Sequence, residues 1–197
     1  VVEMNGMEPP IADGSALSYF NAIAEAGIVE QDAEAKFFTP ASVIWLDGGE
    51  TKLVLAPSVK LEKYCGSTGQ PGNEVTQEIS LAVTPESFLR ELAPARTFVR
   101  YNELKFLLDK GLVKGGSLDA AAIIHEGAII CKEKLHYKDE IVRHKIMDLV
   151  GDIYLCGWLF LPCQLSHCIF FQPHLLSGPY LIFCSPRRNM HPSHWQS

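Results

Sequence analysis

A chain of 197 residues is long enough to bury one large core or two small ones. With 47% hydrophobic and 20% charged residues it has the composition of a soluble globular protein, and its net charge of −6 argues against nucleic acid as a partner, because phosphate binding needs clustered Lys and Arg. No apolar run approaches the roughly 20 residues of a spanning helix, no basic-then-apolar leader follows Val1, and the six cysteines lack paired or CxxC spacing, so we expect no integral membrane segment, no signal peptide and reduced thiols in the cytoplasm.

Along the chain, residues 1–3 read as the tail of a strand, followed by turns at Glu8-Pro9-Pro10 and Asp13-Gly14-Ser15. Asp13 or Ser15 can cap a helix that carries Ala16, Phe20, Ile23 and Ala24 on one face and stops at Gly27. One helix and a strand remnant cannot bury a core, so residues 1–30 are expected to be the last part of a first α+β domain, with a polar linker over 31–40. Strand-like runs follow at 41–46, 51–57 and 59–64, with turns at Asp47-Gly48-Gly49 and Pro57-Ser58. A loop over 65–72 precedes another alternating run at 75–83. Pro85 opens a helix through Leu92, and 101–108 is a second helix, ended by Gly111. Residues 120–125 and 128–131 form a hairpin about Glu126-Gly127, and 139–156 is a long helix. Strands before and after paired helices predict an α+β class, two-layer sheet-and-helix domains, the second spanning 41–157.

Composition then changes. After Asp152 there is no Asp, Glu or Lys, and Pro, Ser, His and Cys rise together without periodicity. Residues 158–197 are therefore expected to lie outside the preceding fold. The non-Met start and this acid-free tail suggest a truncated beginning and a misread or frameshifted end.

The long helix carries the chemistry. Val142, Ile146, Leu149 and Ile153 form one apolar stripe, and His144, Asp148 and Asp152 form a second, ascending in steps of four. Apolar neighbours on both sides predict that the polar stripe is partly buried, and a buried carboxylate needs a partner. A divalent metal serves, since imidazole nitrogen and carboxylate oxygen at i and i+4 suit zinc, with a third ligand from elsewhere. Taken alone, an HxxxD pair is more often a hydrogen-bonded structural pair.

The pair does not stand alone. Asp13-Gly14-Ser15-Ala16, then Ala95-Arg96-Thr97-Phe98, then Gly111-Leu112-Val113-Lys114-Gly115-Gly116-Ser117-Leu118-Asp119, and the helix Val142-Arg143-His144-Lys145 with Asp148 and Gly151-Asp152 resemble the zinc-dependent UDP-3-O-acyl-N-acetylglucosamine deacetylases in order and spacing. The resemblance covers residues 1–157. It implies zinc-assisted hydrolysis of the acetamide of an acylated UDP-sugar in lipid A biosynthesis, in a cytoplasmic enzyme. By position it implies that His144 and Asp148 are two of three zinc ligands and that Thr97 helps stabilise the oxyanion. Phe98 and Lys145 match substrate-contacting positions, Gly116 the acyl-chain passage, and Asp152 an acid paired with a late histidine. As plainer alternatives, Thr97 caps a turn, Phe98 is core, Lys145 is a solvated neighbour and Gly115-Gly116 is a tight bend.

The family's glutamate base and first zinc-binding histidine lie upstream of the Asp13-Gly14-Ser15-Ala16 turn, before Val1, and its late Gly-His pattern finds no match after Trp158. His167 and His174 fall near the expected place without that pattern, while His125, His136, His191 and His194 look incidental. The chain itself is therefore expected to be an inactive fragment. Two rival readings are a non-catalytic binding or scaffolding remnant and a zinc amidase or peptidase of other specificity, although no HExxH is present.

Overall fold

The computed structural model describes residues 2–6, 9–38, 41–47, 51–57, 63–68, 75–110, 120–155, 159–160 and 163–170. Residues 2–4 carry no strand pairing. The turn that follows builds its own cap: Asp13 Oδ1 accepts from the Ser15 backbone N–H at 3.1 Å and from Ser15 Oγ at 2.8 Å, and Ser15 Oγ accepts from the Leu17 N–H at 3.2 Å. The N-cap of α1 (Leu17–Ala26) is nevertheless Ala16, without a side-chain cap, rather than Asp13 or Ser15; these two residues organise the turn ahead of it. Gly27, at φ 82°, ends the helix with its N–H on the Ala24 carbonyl. No residue of α1 is buried; Phe20 lies against Phe88, with centroids 6.5 Å apart.

Residues 27–36 have no helix or strand, and β1 (Phe37–Phe38) follows. Next come β2 (Ile44–Asp47), β3 (Thr51–Pro57), β4 (Lys63–Thr68) and β5 (Gln77–Ala82). The expected loop at 65–72 begins instead as strand, because β4 pairs with β5 in unbroken antiparallel register from Lys63↔Ala82 to Thr68↔Gln77. Gly66 and Ser67 are weak strand formers, and tertiary pairing overrides that preference. A capping box on Thr84 and Ser87 opens α2 (Pro85–Ser87), which widens into a π-helical turn at Phe88–Leu92.

The second sheet begins with β6 (Thr97–Arg100), which the sequence reading did not contain. It is followed by α3 (Tyr101–Asp109) and β7 (Ala121–His125), parallel to β6, and then by β8 (Ala128–Ile130), antiparallel to β7. The predicted β7–β8 hairpin turns through Glu126 at φ 48° and Gly127 at φ 77°, two left-handed residues as a two-residue hairpin requires.

The long helix α4 (Glu140–Tyr154) lies over the first sheet, and its predicted apolar stripe is the core. Val142 and Ile146 are fully buried, and Leu149 and Ile153 nearly so. Around Ile146, Leu149, Val150 and Ile153 pack Leu55, Leu92 and the inward side chains Leu53, Ile79 and Leu81. Gln77 ties sheet to helix: its Oε1 accepts from the Val142 N–H at 3.0 Å, and its Nε2 donates to the Lys138 carbonyl at 3.1 Å. Two further strands come from the segment read as outside the fold. β9 (Leu159–Phe160) pairs in parallel with β1, and β10 (Cys163–Phe170) enters the first sheet between β3, antiparallel, and β4, parallel. A register shift between Gln164 and Ile169 breaks its ladder with β3, which leaves no simple alternation for the sequence to display.

One ion pair joins the two halves of this packing. Glu140, 1% exposed, accepts from the Arg96 backbone N–H at 3.0 Å and from Arg96 Nε at 2.9 Å, while the His136 N–H reaches its other oxygen at 2.6 Å. Burial works against the charge, but the Arg96 guanidinium and the two backbone N–H groups outweigh it and hold the Glu140 carboxyl below its ordinary value of 4.5. Its stabilising contribution is therefore complete above 4.5 and disappears as pH falls through the lowered folded-state value.

Two outcomes are expected. Glu140→Gln should lower the free energy of unfolding near neutral pH by roughly 3–5 kcal/mol, the cost of stranding one partner of a buried pair. That deficit should shrink on acidification, in thermal unfolding followed from about pH 7 to about pH 3; a constant gap would mean that Glu140 is not ionised in the fold. Separately, Gly14 sits at φ 80°, and a Cβ there would lie 1.7 Å from the Ala120 carbonyl oxygen. Gly14→Ala should therefore cost on the order of 1–3 kcal/mol and loosen the 11–16 turn, seen as faster proteolysis ahead of α1.

Candidate functional site

The site forms where residues 93–98 pass the first two turns of α4. The preceding turn is docked from the other side, since the Ala16 N–H donates to the Ala93 carbonyl at 2.9 Å and the Thr97 N–H donates to the Gly14 carbonyl at 2.7 Å. Gly14 is needed for this approach because no side chain fits between its backbone and Ala120.

His144 is 8% exposed, and its Nδ1 lies 2.9 Å from the Ala95 carbonyl oxygen. A carbonyl only accepts, so Nδ1 carries the hydrogen and Nε2 faces outward. Asp148, one turn on, places Oδ1 3.4 Å from that Nε2, and its Oδ2 accepts from Lys145 Nζ at 2.8 Å. The Nε2 lone pair of a neutral imidazole and a carboxylate oxygen repel at this separation unless a proton or a cation stands between them. Two ligands about 2.0–2.1 Å from a tetrahedral zinc lie about 3.4 Å apart, so the donor pair fits that ion. Among the described residues no group of three His, Cys, Asp or Glu side chains could hold a metal, so a third protein ligand is not found there.

Phe98 stands edge-on to the His144 ring, 6.2 Å between centroids, and Lys145 Nζ lies 5.1 Å from the Phe98 ring centre. Thr97 and His144, with Gly14, Ser15, Tyr19 and Met147, line a mainly apolar cavity of about 310 Å³. The structure thus brings Thr97, Phe98, His144, Lys145 and Asp148 together. Gly116 lies outside the described residues, as do His174, His191 and His194.

The polar stripe is less buried than its neighbours suggested. His144 is buried, but the Asp148 side chain is 41% exposed and Asp152 is exposed near the end of α4. The core covers only the first half of that face. Partial burial and then the Asp148 charge raise the pKa of Asp152, against the pull of Lys145. Sequence reasoning missed Glu140, which begins the same four-residue stripe, and its partner Arg96. The spacing Glu140, His144, Asp148, Asp152 was a signal available in the sequence. His136, read as incidental, donates its backbone N–H to Glu140 and places Nδ1 2.8 Å from the Pro94 carbonyl oxygen. Among the described residues no helix is long and apolar enough to cross a membrane.

A family model described as UDP-3-O-acyl N-acetylglycosamine deacetylase (LpxC) matches residues 1–168, eleven residues further than the motif resemblance reached. The chain is 39% identical over 158 residues to the UDP-3-O-acyl-N-acetylglucosamine deacetylase of Chlamydia pneumoniae, covering 80% of this chain and 56% of that protein. With the Chlamydia trachomatis serovar L2 enzyme of the same name it shares 39% identity over 155 residues, 78% of this chain and 54% of the relative. The chain spans about half the length of the curated relatives it matches. With the family model matching residues 1–168, the chain belongs to the UDP-3-O-acyl N-acetylglycosamine deacetylase family.

Proposed function

We propose that the chain carries the α4 half of a zinc amidase site that hydrolyses the N-acetyl group of a UDP-3-O-acyl-N-acetylglucosamine, releasing acetate in cytoplasmic lipid A biosynthesis. The observation that carries this reading is the approach of His144 Nε2 and Asp148 Oδ1 to 3.4 Å beside a cavity lined by Thr97. Family membership and the names of the relatives supply the substrate class.

In this reading His144 and Asp148 hold the zinc, which when bound polarises the acetamide carbonyl and lowers the pKa of a coordinated water. His144 is pre-oriented by the Ala95 carbonyl, so its lone pair is directed before any metal arrives. Lys145 keeps one oxygen of Asp148 engaged and leaves the other for the metal. The Thr97 hydroxyl donates to the carbonyl oxygen as negative charge builds on it. Lys145 also offers the UDP-sugar a cation, and Phe98 gives it an apolar wall. Asp152, whose pKa its surroundings raise, is the acid that would orient a histidine arriving from outside the described residues.

Ligand and stabiliser should separate in two measurements. In a form extended to supply the family's glutamate base and first zinc-binding histidine, His144→Ala and Asp148→Ala should each abolish stoichiometric zinc in equilibrium dialysis, because each removes one of two helix ligands. Thr97→Ala should keep its zinc and its KM, and lose on the order of 10²–10³ in acetate release. Zinc retained by the His144 and Asp148 variants would sink the metal assignment. Zinc lost with Thr97 would make that residue structural support, and full turnover would make it an ordinary member of β6.

A further inference from the structure

Side chains alternate along β6, so Phe98 and Arg100 share one side of the strand, their Cα atoms about 6–7 Å apart. On that side Phe98 meets α4: its ring centre is 6.2 Å from that of His144, and Lys145 Nζ lies 5.1 Å from it. The parallel register sets Phe98 beside Ala122 and Arg100 beside Ile124, and Ile124 is paired in turn with Ile129 of β8. Arg100 thus stands in an apolar row with no carboxylate across the ladder from it. It is half-buried, and among the described residues its side chain has no hydrogen bond, ion pair or ring contact. A permanently charged guanidinium with five donors, partly withdrawn from water, is held at a cost unless an anion meets it. We propose that Arg100 is a further substrate-binding residue, which together with Lys145 grips the diphosphate of the nucleotide-sugar beside the Phe98 ring.

The two cations suit different parts of that ligand. Arg100 offers a planar fork that matches two oxygens of one phosphoryl group, and Lys145 offers a compact charge with three donors. Lys145 spends one donor on Asp148 Oδ2 at 2.8 Å, which leaves two. Adjacent phosphoryl groups of a diphosphate share a bridging oxygen, so one ligand can meet both cations. Phe98, Ala122 and Ile124 make the surface around Arg100 apolar, and a lower local dielectric strengthens each charge-assisted bond. A nucleoside without phosphate brings no charge to either cation. Neither contact involves a metal or the scissile amide, so the grip can be measured on the chain as it stands. Lys105, exposed on α3 and outside this row, carries the same charge and is the control for general attraction.

The identity of the ligand rests on the nucleotide-sugar reading above, but the anion grip does not. The test is isothermal titration of the metal-free full chain with UDP, inorganic pyrophosphate and uridine. Wild type should bind UDP more tightly than uridine. Arg100→Leu should weaken UDP and pyrophosphate about 10–100-fold, the usual loss of a hydrogen bond to a charged group, and leave uridine unchanged. Leucine suits the apolar row, and a retained backbone amide spectrum will show that the variant is folded. Arg100→Lys should recover part of the loss, because the charge returns without the fork. Lys105→Gln should bind all three probes as wild type does. UDP no tighter than uridine in wild type, or full UDP affinity in folded Arg100→Leu, overturns the inference. An equal loss in Lys105→Gln overturns it too, since the attraction would then be general. Pyrophosphate binding that depends on Arg100, with UDP no tighter than pyrophosphate, would instead keep the diphosphate grip and count against the nucleotide-sugar reading.

Discussion

A carboxylate with 1% of its surface exposed imposes conditions on everything near it, and Glu140 is that carboxylate here. An ionised oxygen pair out of water needs several donors. The donors come from Arg96, 44 residues earlier, and from the His136 backbone just ahead of the helix. Satisfying Glu140 thus fixes three segments at once: the start of α4, the approach to it, and the entry to β6. The position of the candidate site follows from that constraint.

The apolar side of α4 imposes the complementary condition. Ile146, Leu149, Val150 and Ile153 bury against the first sheet, so the rotation of the helix about its axis is set by packing. With 3.6 residues per turn, that rotation determines where Glu140, His144 and Asp148 emerge. The two conditions agree, since at 3.6 residues per turn the stripe at 142, 146, 149 and 153 and the stripe at 140, 144 and 148 fall on nearly opposite faces of the helix. A helix turned to improve one would spoil the other.

This is also why part of the protein was legible in its sequence and part was not. The apolar stripe of α4, the span of β3 and the Glu126-Gly127 hairpin follow from local periodicity and turn chemistry, and they stand in the structure as read. The α+β class follows from the order of such segments. β6 has only four residues and no alternating pattern, and it exists because β7 lies alongside it. β10 is held on both edges by strands more than 90 residues earlier in the chain, and its irregular register hides any period of two. The nearness of His144 to Asp148 was readable from their spacing. The dependence of His144 on Ala95, and of Glu140 on Arg96, was not, because each bond joins residues more than 40 positions apart. The same lack of long-range information made Asp148 and Asp152 look more enclosed than they are, since a helix wheel shows which face a residue shares but not where the core ends.

Residues 95–98 show how little freedom the arrangement leaves. Ala95 offers its carbonyl to His144, Arg96 gives its N–H and guanidinium to Glu140, and Phe98 meets both the His144 ring and the Lys145 ammonium. Arg96 and Phe98, two residues apart, both reach α4, as neighbours on one side of an extended chain should. Thr97 between them turns its N–H to Gly14 and lines the cavity. A slip of one residue in the pairing of β6 with β7 would exchange these faces, turning Thr97 toward the helix and Phe98 toward the Gly14 turn. Glu140 would then face a residue with no guanidinium, and the slipped register would carry the cost of an unpaired buried charge. The ion pair therefore guards the register of the short strand. That register is what brings Thr97 to the cavity that His144 also lines.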